Sequence, residues 1–306
     1  MSANATIDAT LTDVHVHLQD AGFGASLDDV ERLLKVSADA GVKRFVCPAT
    51  SPADWNRVAS IGRRFDSVYV MFGVHPWYVA RARGDWKTPL KQFLDEYVSA
   101  NGAKAALGEV GLDFATREAR EDAAVRGMQE TSLRAQLELA DERALPVALH
   151  AVRANDRILA IMSEYKNVPA WLLHGWTATP EELDRAASLG AFFSFSVRSL
   201  SPQSKRALAT VVASPRDRVL LESDGPGSVP PPGCDAPGRD VAAPYVRPLA
   251  EDGTPAQAPV AVLDVLRGIA SARKTPLDDL ARQIAVNEKR FFSRWSLREE
   301  SGETKK

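Results

Sequence analysis

Asp13-Val14-His15-Val16-His17 stands at the end of the apolar run Ile7 to Leu18, which breaks off into Gln19-Asp20-Ala21-Gly22. In an extended strand side chains alternate between faces, so His15 and His17 point the same way and converge on one point. Two neutral imidazoles aimed at one point form a ligand pair for a transition metal. Taken alone, the pair is equally what a half-buried strand carrying two histidines would show. The rest of the histidine inventory separates the two readings. The chain has five histidines, and His75, His150 and His174 also end apolar, strand-like runs.

Outward from that stretch, short apolar runs alternate with longer amphipathic segments, the pattern of parallel strands joined by crossover helices. Strands are expected at Leu11 to His17, Arg44 to Cys47, Val68 to Val74, Ala105 to Gly108, Pro146 to Leu149, Ala170 to Leu173, Ala191 to Phe195 and Val219 to Leu221. Between them, helices are expected near Ser26 to Ala40, Pro52 to Phe65, Pro89 to Ala100, Glu118 to Arg143, Asn155 to Tyr165 and Pro202 to Ala213. Another is capped by Thr179, with Glu182 three residues on as a capping box. Eight such units make an α/β fold, a (β/α)8 TIM barrel, for which roughly 250 residues is usual. The chain of 306 residues therefore reads as one domain over residues 11–293, with a lead-in at 1–10 and a tail at 294–306 expected to be disordered. Between Gly225 and Pro259, nine prolines and five glycines exclude regular helix or central strand. A segment of that kind after the eighth strand is expected over the barrel mouth, as a lid or binding loop. Helices near Ala258 to Ala272 and Pro276 to Phe292 finish the fold.

Composition narrows the class. Hydrophobic content of 45% and charged content of 25% are those of a soluble globular protein with a large core. A formal net charge of -2 demands no nucleic-acid partner, although a local basic rim is compatible with it. Cys47 and Cys234 lack the close spacing of a disulfide framework or a zinc knuckle, which suits a reducing compartment and a metal site built without thiolates. Residues 1–10 carry no signal-peptide pattern and no apolar stretch is long enough to span a membrane, so the cytoplasm is the expected location.

Catalytic groups in such barrels come from the carboxyl ends of several strands. The chain supplies His15 and His17 from the first strand, His75 from the third, Glu109 from the fourth, His150 from the fifth, His174 from the sixth and Asp224 from the eighth. Imidazoles and carboxylates in that number exceed what one tetrahedral ion uses and suit two divalent ions. His15, His17 and Asp224 are assigned to the first, His150 and His174 to the second, and Glu109 to a bridge between them. Two such ions generate a nucleophile from water and clamp both oxygens of an in-line displacement. Asp224, ionised beside a cation, is the expected general base. Zinc, manganese and magnesium all suit the ligand set.

These residues sit in motifs that resemble the TatD-like metal-dependent deoxyribonucleases of the amidohydrolase superfamily. The motifs are D-V-H-V-H at Asp13 to His17, G-V-H-P at Gly73 to Pro76, G-E-V-G-L-D-F at Gly108 to Phe114, L-H-G-W at Leu173 to Trp176 and E-S-D-G-P at Glu222 to Pro226. The resemblance runs from Leu11 to Phe292. It implies a TIM barrel with divalent metal held by Glu109, His150, His174 and Asp224, joined by His15 and His17. It also implies that His75 contacts the scissile phosphate and that the reaction is hydrolysis of phosphodiester bonds in DNA. Three departures fall on the substrate side of the mouth. The arginine expected two positions after His150 stands three positions on, as Arg153; Gly225 replaces the usual Ala or Ser; and the segment after Pro226 is longer and richer in proline.

Arginines in the mouth loops (Arg81, Arg83, Arg117, Arg153 and Arg198) alternate with the aromatics Trp77, Tyr78, Phe114 and Trp176, the combination of cations and flat rings that a single strand or a DNA end requires. His75, Arg153, Arg198 and Trp176 are the expected substrate-binding residues, with DNA as the partner and no membrane or obligate protein partner. The competing readings are an amidohydrolase relative acting on a small amide, lactone or phosphoester, and a barrel that keeps its ligands as a scaffold. Many such relatives carry a lysine at the end of strand four; Glu109 stands there instead and favours the nuclease.

Overall fold

The computed structural model describes residues 10–24, 26–82, 84–101, 105–226, 258–293 and 295. Strand β1 (Leu11–Asp13) leads to α1 (Leu27–Asp39), β2 (Val42–Pro48), α2 (Trp55–Arg64), β3 (Val68–Phe72), α3 (Lys87–Asn101) and β4 (Ala105–Asp113). Then follow α4 (Arg117–Glu121), α5 (Ala123–Arg143), β5 (Val147–Val152), α6 (Asn155–Met162), β6 (Trp171–Leu173) and α7 (Pro180–Ser188). The last elements are β7 (Phe192–Phe195), α8 (Lys205–Ala213), β8 (Val219–Leu221), α9 (Val262–Ala272) and α10 (Leu277–Phe292). The strands form one sheet in chain order, β1 through β8. Its two edges meet where Val14 N–H donates to Leu221 C=O and Asp224 N–H donates to His15 C=O, each at 3.0 Å. The architecture is the TIM barrel that the alternation of runs predicts.

Local signals place most helix starts. Thr179 and Glu182 form the expected capping box, and Ser26 forms another with Asp29 at the head of α1. One long helix over 118–143 is not formed: Asp122 takes extended angles and its side chain accepts from Ala124 N–H, ending α4 and opening α5. The helix expected from Pro202 begins at Lys205, after a 3-10 turn over Val197–Leu200. Nearly all of the expected lid (227–257), the lead-in (1–9), the tail after Trp295, Arg83 and Cys234 lie outside the described residues. Among the described residues no helix is long and apolar enough to cross a membrane.

Alternation along the strands separates two apolar layers. Val46, Met71, Ala106, Ala148, Leu172 and Leu220 form an inner cluster, closed by Phe291, Phe292 and Trp295 at the end of α10. Their chain neighbours Phe45, Cys47, Val70, Phe72, Val147, Leu149, Leu173 and Leu221 join the outer cluster with residues of the surrounding helices. Burying each large plug residue stabilises by about 1.5–3 kcal/mol. Below the bore, Glu288 of α10 accepts from Thr12 N–H (2.9 Å), Thr12 O–H (2.7 Å) and Arg44 (2.9 Å), tying the last helix to β1 and β2.

The inner register, continued two residues at a time, builds the mouth. His150 follows Ala148, His174 follows Leu172, and Glu222 and Asp224 follow Leu220. In two places the parity changes. The β4–β5 register shifts between Leu107 and Val110, a bulge that re-aims the strand so that Glu109 and Asp113 face inward. In the first strand Val14 belongs to the inner cluster while Val16 and Leu18 belong to the outer one. The strand expected to reach His17 thus leaves its ladder after Asp13, whose carboxylate accepts from His15 N–H at 3.2 Å, and both histidines turn into the bore.

Candidate metal centre

Glu109 is the hub of the site. Its carboxylate is 3% exposed and is met by five imidazoles. His15 Nε2 is 3.3 Å and His17 Nε2 3.5 Å from Oε2. His75 Nε2, His150 Nδ1 and His174 Nε2 lie 3.2, 2.9 and 2.7 Å from Oε1. The His15 and His174 rings stack 3.9 Å apart. Asp224 completes the rim, 4.0 Å from His17 Nε2 through Oδ1 and 3.4 Å from Arg198 Nη1 through Oδ2. Its backbone sits in the left-handed region at φ 51°, a conformation uncommon for non-glycine residues but one that aspartate tolerates.

A second layer holds the rings. His17 Nδ1 lies 3.3 Å from Pro48 C=O, turning Nε2 towards Glu109. Trp77 backbone N–H donates to His75 Nδ1 at 3.2 Å, so Nε2 carries that ring's proton. Asp113 lies 3.2 Å from His150 Nε2, accepts from the Trp77 indole N–H at 2.7 Å, and anchors Ala115 N–H at 2.9 Å. Carboxylates placed behind a histidine in this way fix the ring's orientation and raise its basicity as a ligand. Asp13 pins the seam by accepting from Ser223 N–H (2.9 Å) and O–H (2.5 Å).

Electrostatics follow from one buried negative hub among many rings. Burial works against the Glu109 carboxylate, yet His75, His174 and His15 outweigh it and hold the group well below the usual range. Burial likewise pulls His150 and His174 down, but Glu109, with Asp113 for the former and Glu222 for the latter, pushes both above an ordinary histidine. His15, buried and facing His174, is lowered, and burial carries His75 down to about 4. Desolvation opposes ionisation of Asp224, but Arg198 and the imidazoles of His174, His15 and His17 hold it below the normal carboxylate value.

The donors fit divalent metal. Both ring nitrogens of His15 are buried without a hydrogen-bond partner, as are His174 Nδ1 and Glu222 Oε1, which stand 3.8 Å apart. A buried unpaired donor or acceptor costs about 1–3 kcal/mol, and a cation beside His15 removes that cost. Ligand atoms within 4.8 Å of one another group His15, His17 and Glu109; His15, His174 and Asp224; and His75, Glu109 and His150. The expected metal ligands are therefore drawn into one cluster, with His75 as near its centre as any. The cavity above them, about 310 Å³, is lined by Asp224, His75, Tyr78 and Ser51 among others.

The sequence pattern described as "TatD related DNase" matches residues 12–293. The chain belongs to that family. A TatD from Erwinia billingiae, named 3'-5' ssDNA/RNA exonuclease TatD, is 28% identical over 285 residues, covering 92% of this chain and 98% of the relative. The Escherichia coli relative YjjV, named as an uncharacterized metal-dependent hydrolase, is 26% identical over 215 residues, 70% of this chain and 78% of its own. The solved structure of E. coli YjjV, a TatD homolog, superposes with a TM-score of 0.73 at 22% identity, covering 93% of this chain and 98% of that one. A TatD-family hydrolase from Entamoeba histolytica gives 0.71 at 17% identity, covering 92% and 98%. This TatD-type chain is accordingly a metal-dependent hydrolase on a TIM barrel.

Around the TatD-type centre the expected substrate residues divide. Arg198 stands at the rim beside Asp224. Arg153 is exposed, at φ 53°, in a neighbouring cleft with Phe114 and Arg206. Arg117 is paired with Glu121 of its own helix at 3.1 Å. Trp176 does not face substrate: its ring is 1% exposed, stacks on Phe193 at 5.6 Å and donates to Asn155 Oδ1 at 2.9 Å. Trp77 is likewise committed, to Asp113. The sequence reading assigned no role to Asp113, Asp13 or Glu222. Asp113 was detectable, because it is four residues beyond Glu109 on the same strand and so on the same face.

Proposed function

We propose that the chain hydrolyses phosphodiester bonds of DNA, and of RNA as a second polymer, at this cleft with two divalent ions, magnesium, manganese or zinc. The observation that carries the reading is the buried Glu109 carboxylate ringed by five imidazoles, two of whose nitrogens on His15 lack any other partner. His15, His17 and Asp224 would hold one ion, His150 and His174 the other, with Glu109 between. Bound there, the ions supply Lewis-acid polarisation of phosphoryl oxygens and water made nucleophilic at neutral pH.

The chain's own groups do the rest. Asp224, its side chain 17% exposed, faces both cluster and cleft and takes the proton of the attacking water. His75 lines the cavity with its proton fixed on Nε2, because Trp77 N–H occupies Nδ1; that N–H faces Glu109 Oε1 at 3.2 Å and would turn from it to a phosphate oxygen when substrate enters. Arg198 holds Asp224 and adds positive charge at the rim. The ligands lie within the bore, almost wholly buried, which favours a single strand or a frayed end over a duplex. The TatD relatives are named as exonucleases of single-stranded DNA and RNA, which supports the same substrate class.

Hydrolysis of labelled single- and double-stranded DNA should be followed with protein stripped and reloaded with each metal, beside a Glu109→Ala, Asp224→Ala double variant. Metal-dependent cleavage that disappears in the variant is expected. Two bound ions per chain without cleavage of any polymer would refute the reading and transfer the search to small amides, lactones and phosphoesters.

A further inference from the structure

Beside the metal-centre cavity lies a second cleft of about 400 Å³. The two share Ser51, Ala53 and Tyr78 as a common wall. Beyond that wall the second cleft is aromatic rather than ionic, with Trp86 and Trp55 among its lining and Arg81 beside them. Tyr78 stands between the two chemistries, its ring centroid 6.4 Å from that of His75. The turn that carries it is fixed by Arg81 N–H and Ala82 N–H, which both donate to Tyr78 C=O at 2.9 and 2.8 Å. Tyr78 and Trp86 are half-buried, resting on the hydrophobic core while they line the cleft, and Arg81 is exposed.

We propose that this cleft is a nucleobase subsite: it takes the base of the nucleotide whose phosphate lies at His75, stacked on Tyr78 and Trp86, with Arg81 towards the adjoining phosphate. The assignment rests on the nucleic-acid reading above and deepens it. Every base presents a π-face, so a stacking platform of this kind tolerates sequence. The one carboxylate among the described lining residues, Asp85, caps α3 through Thr88 N–H at 3.1 Å, and the rings of Tyr78 and Trp86 give a base flat faces to stack on. The site should therefore distinguish base from no base, and distinguish poorly among the four bases.

The test compares wild type with Trp86→Leu, which fills the space without a large ring, and Trp86→Phe, which restores one. The ligands are a single-stranded oligonucleotide and the same strand made abasic at its last three positions. Binding to the metal-stripped full chain is read by fluorescence anisotropy and, separately, kcat and KM are read in the reloaded enzyme. Trp86→Leu should weaken binding and raise KM for the normal strand by about tenfold, the loss of one stacked base. Its kcat and its affinity for the abasic strand should hold, and Trp86→Phe should recover most of the difference. Equal weakening on both strands, or no change on the normal one, overturns the subsite. Absence of hydrolysis in the wild type would sink the nuclease reading alone, because the anisotropy comparison judges the subsite without it.

Discussion

Replacing Asp113 by alanine should weaken metal binding without touching any residue assigned as a ligand. Its carboxylate is the acceptor behind His150 Nε2 and for the Trp77 indole N–H, so Asp113→Ala strands a buried indole donor and leaves the His150 ring free to turn. One stranded donor costs about 1–3 kcal/mol of stability. The loss of a carboxylate behind a metal-binding histidine costs 10–100-fold in metal affinity, about 1.4–2.7 kcal/mol. Asp113→Asn keeps one acceptor oxygen and should fall between wild type and alanine in both respects. The assay is calorimetric titration of metal-stripped protein with manganese or zinc, alongside thermal melts in chelator to show that each variant is folded. Of two binding steps, the one that depends on His150 should weaken while the other holds. Wild-type affinity at both steps in folded Asp113→Ala would refute the reasoning, since His150 would then be held by something other than this carboxylate.

Arg153→Ala should weaken binding of single-stranded DNA and lower the slope of log affinity against log salt by about 1, whereas Arg198→Ala should chiefly lower kcat, because Arg198 holds Asp224; an unchanged slope removes Arg153 from the surface. Gly111→Ala should destabilise by at least about 2 kcal/mol in urea melts, because Gly111 sits at φ 149° and an added Cβ would run into the His150 carbonyl; a wild-type midpoint would show that β4 can relax. Burial holds the Glu288 carboxyl above its ordinary value, with Thr12 and Arg44 only partly offsetting it. A raised folded-state pKa means a contribution fully present below the unfolded value of about 4.3 and lost as pH rises through the folded one. Unfolding free energy of Glu288→Gln, relative to wild type, should therefore climb as pH is raised through that window, and a pH-independent difference would refute it.

The barrel was legible because each strand is short, apolar and followed by an amphipathic segment, and because the functional side chains stand where those runs stop. What the chain could not disclose locally was parity. Whether Glu109 faces the bore depends on a register shift against β5, and whether His15 does depends on a turn made after Asp13; both are decided by pairing with distant strands. Asp113 follows Glu109 by an even spacing on the same strand, but that it stands behind His150 is visible only in the pairing of β4 with β5. Trp176 misled because an aromatic just beyond a strand end is equally suited to solvent and to core, and Phe193 settles the matter by packing. The break at Asp122 was missed because an acidic residue suits a helix interior on its charge, while its side chain prefers to cap.

The seam of the barrel is made by the backbones of the same residues whose side chains gather at its mouth. His15 C=O receives Asp224 N–H, and His17 N–H is given to Gly225 C=O at 2.9 Å. A cation shared by the first and last of these segments would act as the buckle of a hoop, reinforcing the few backbone hydrogen bonds that close the sheet's two edges into a cylinder. Readiness to react and resistance to unzipping then rise together. Amide exchange at Val14 and Asp224 becomes a gauge of loading, while exchange at Leu172, held by full strands on both sides between β5 and β7, should register it less.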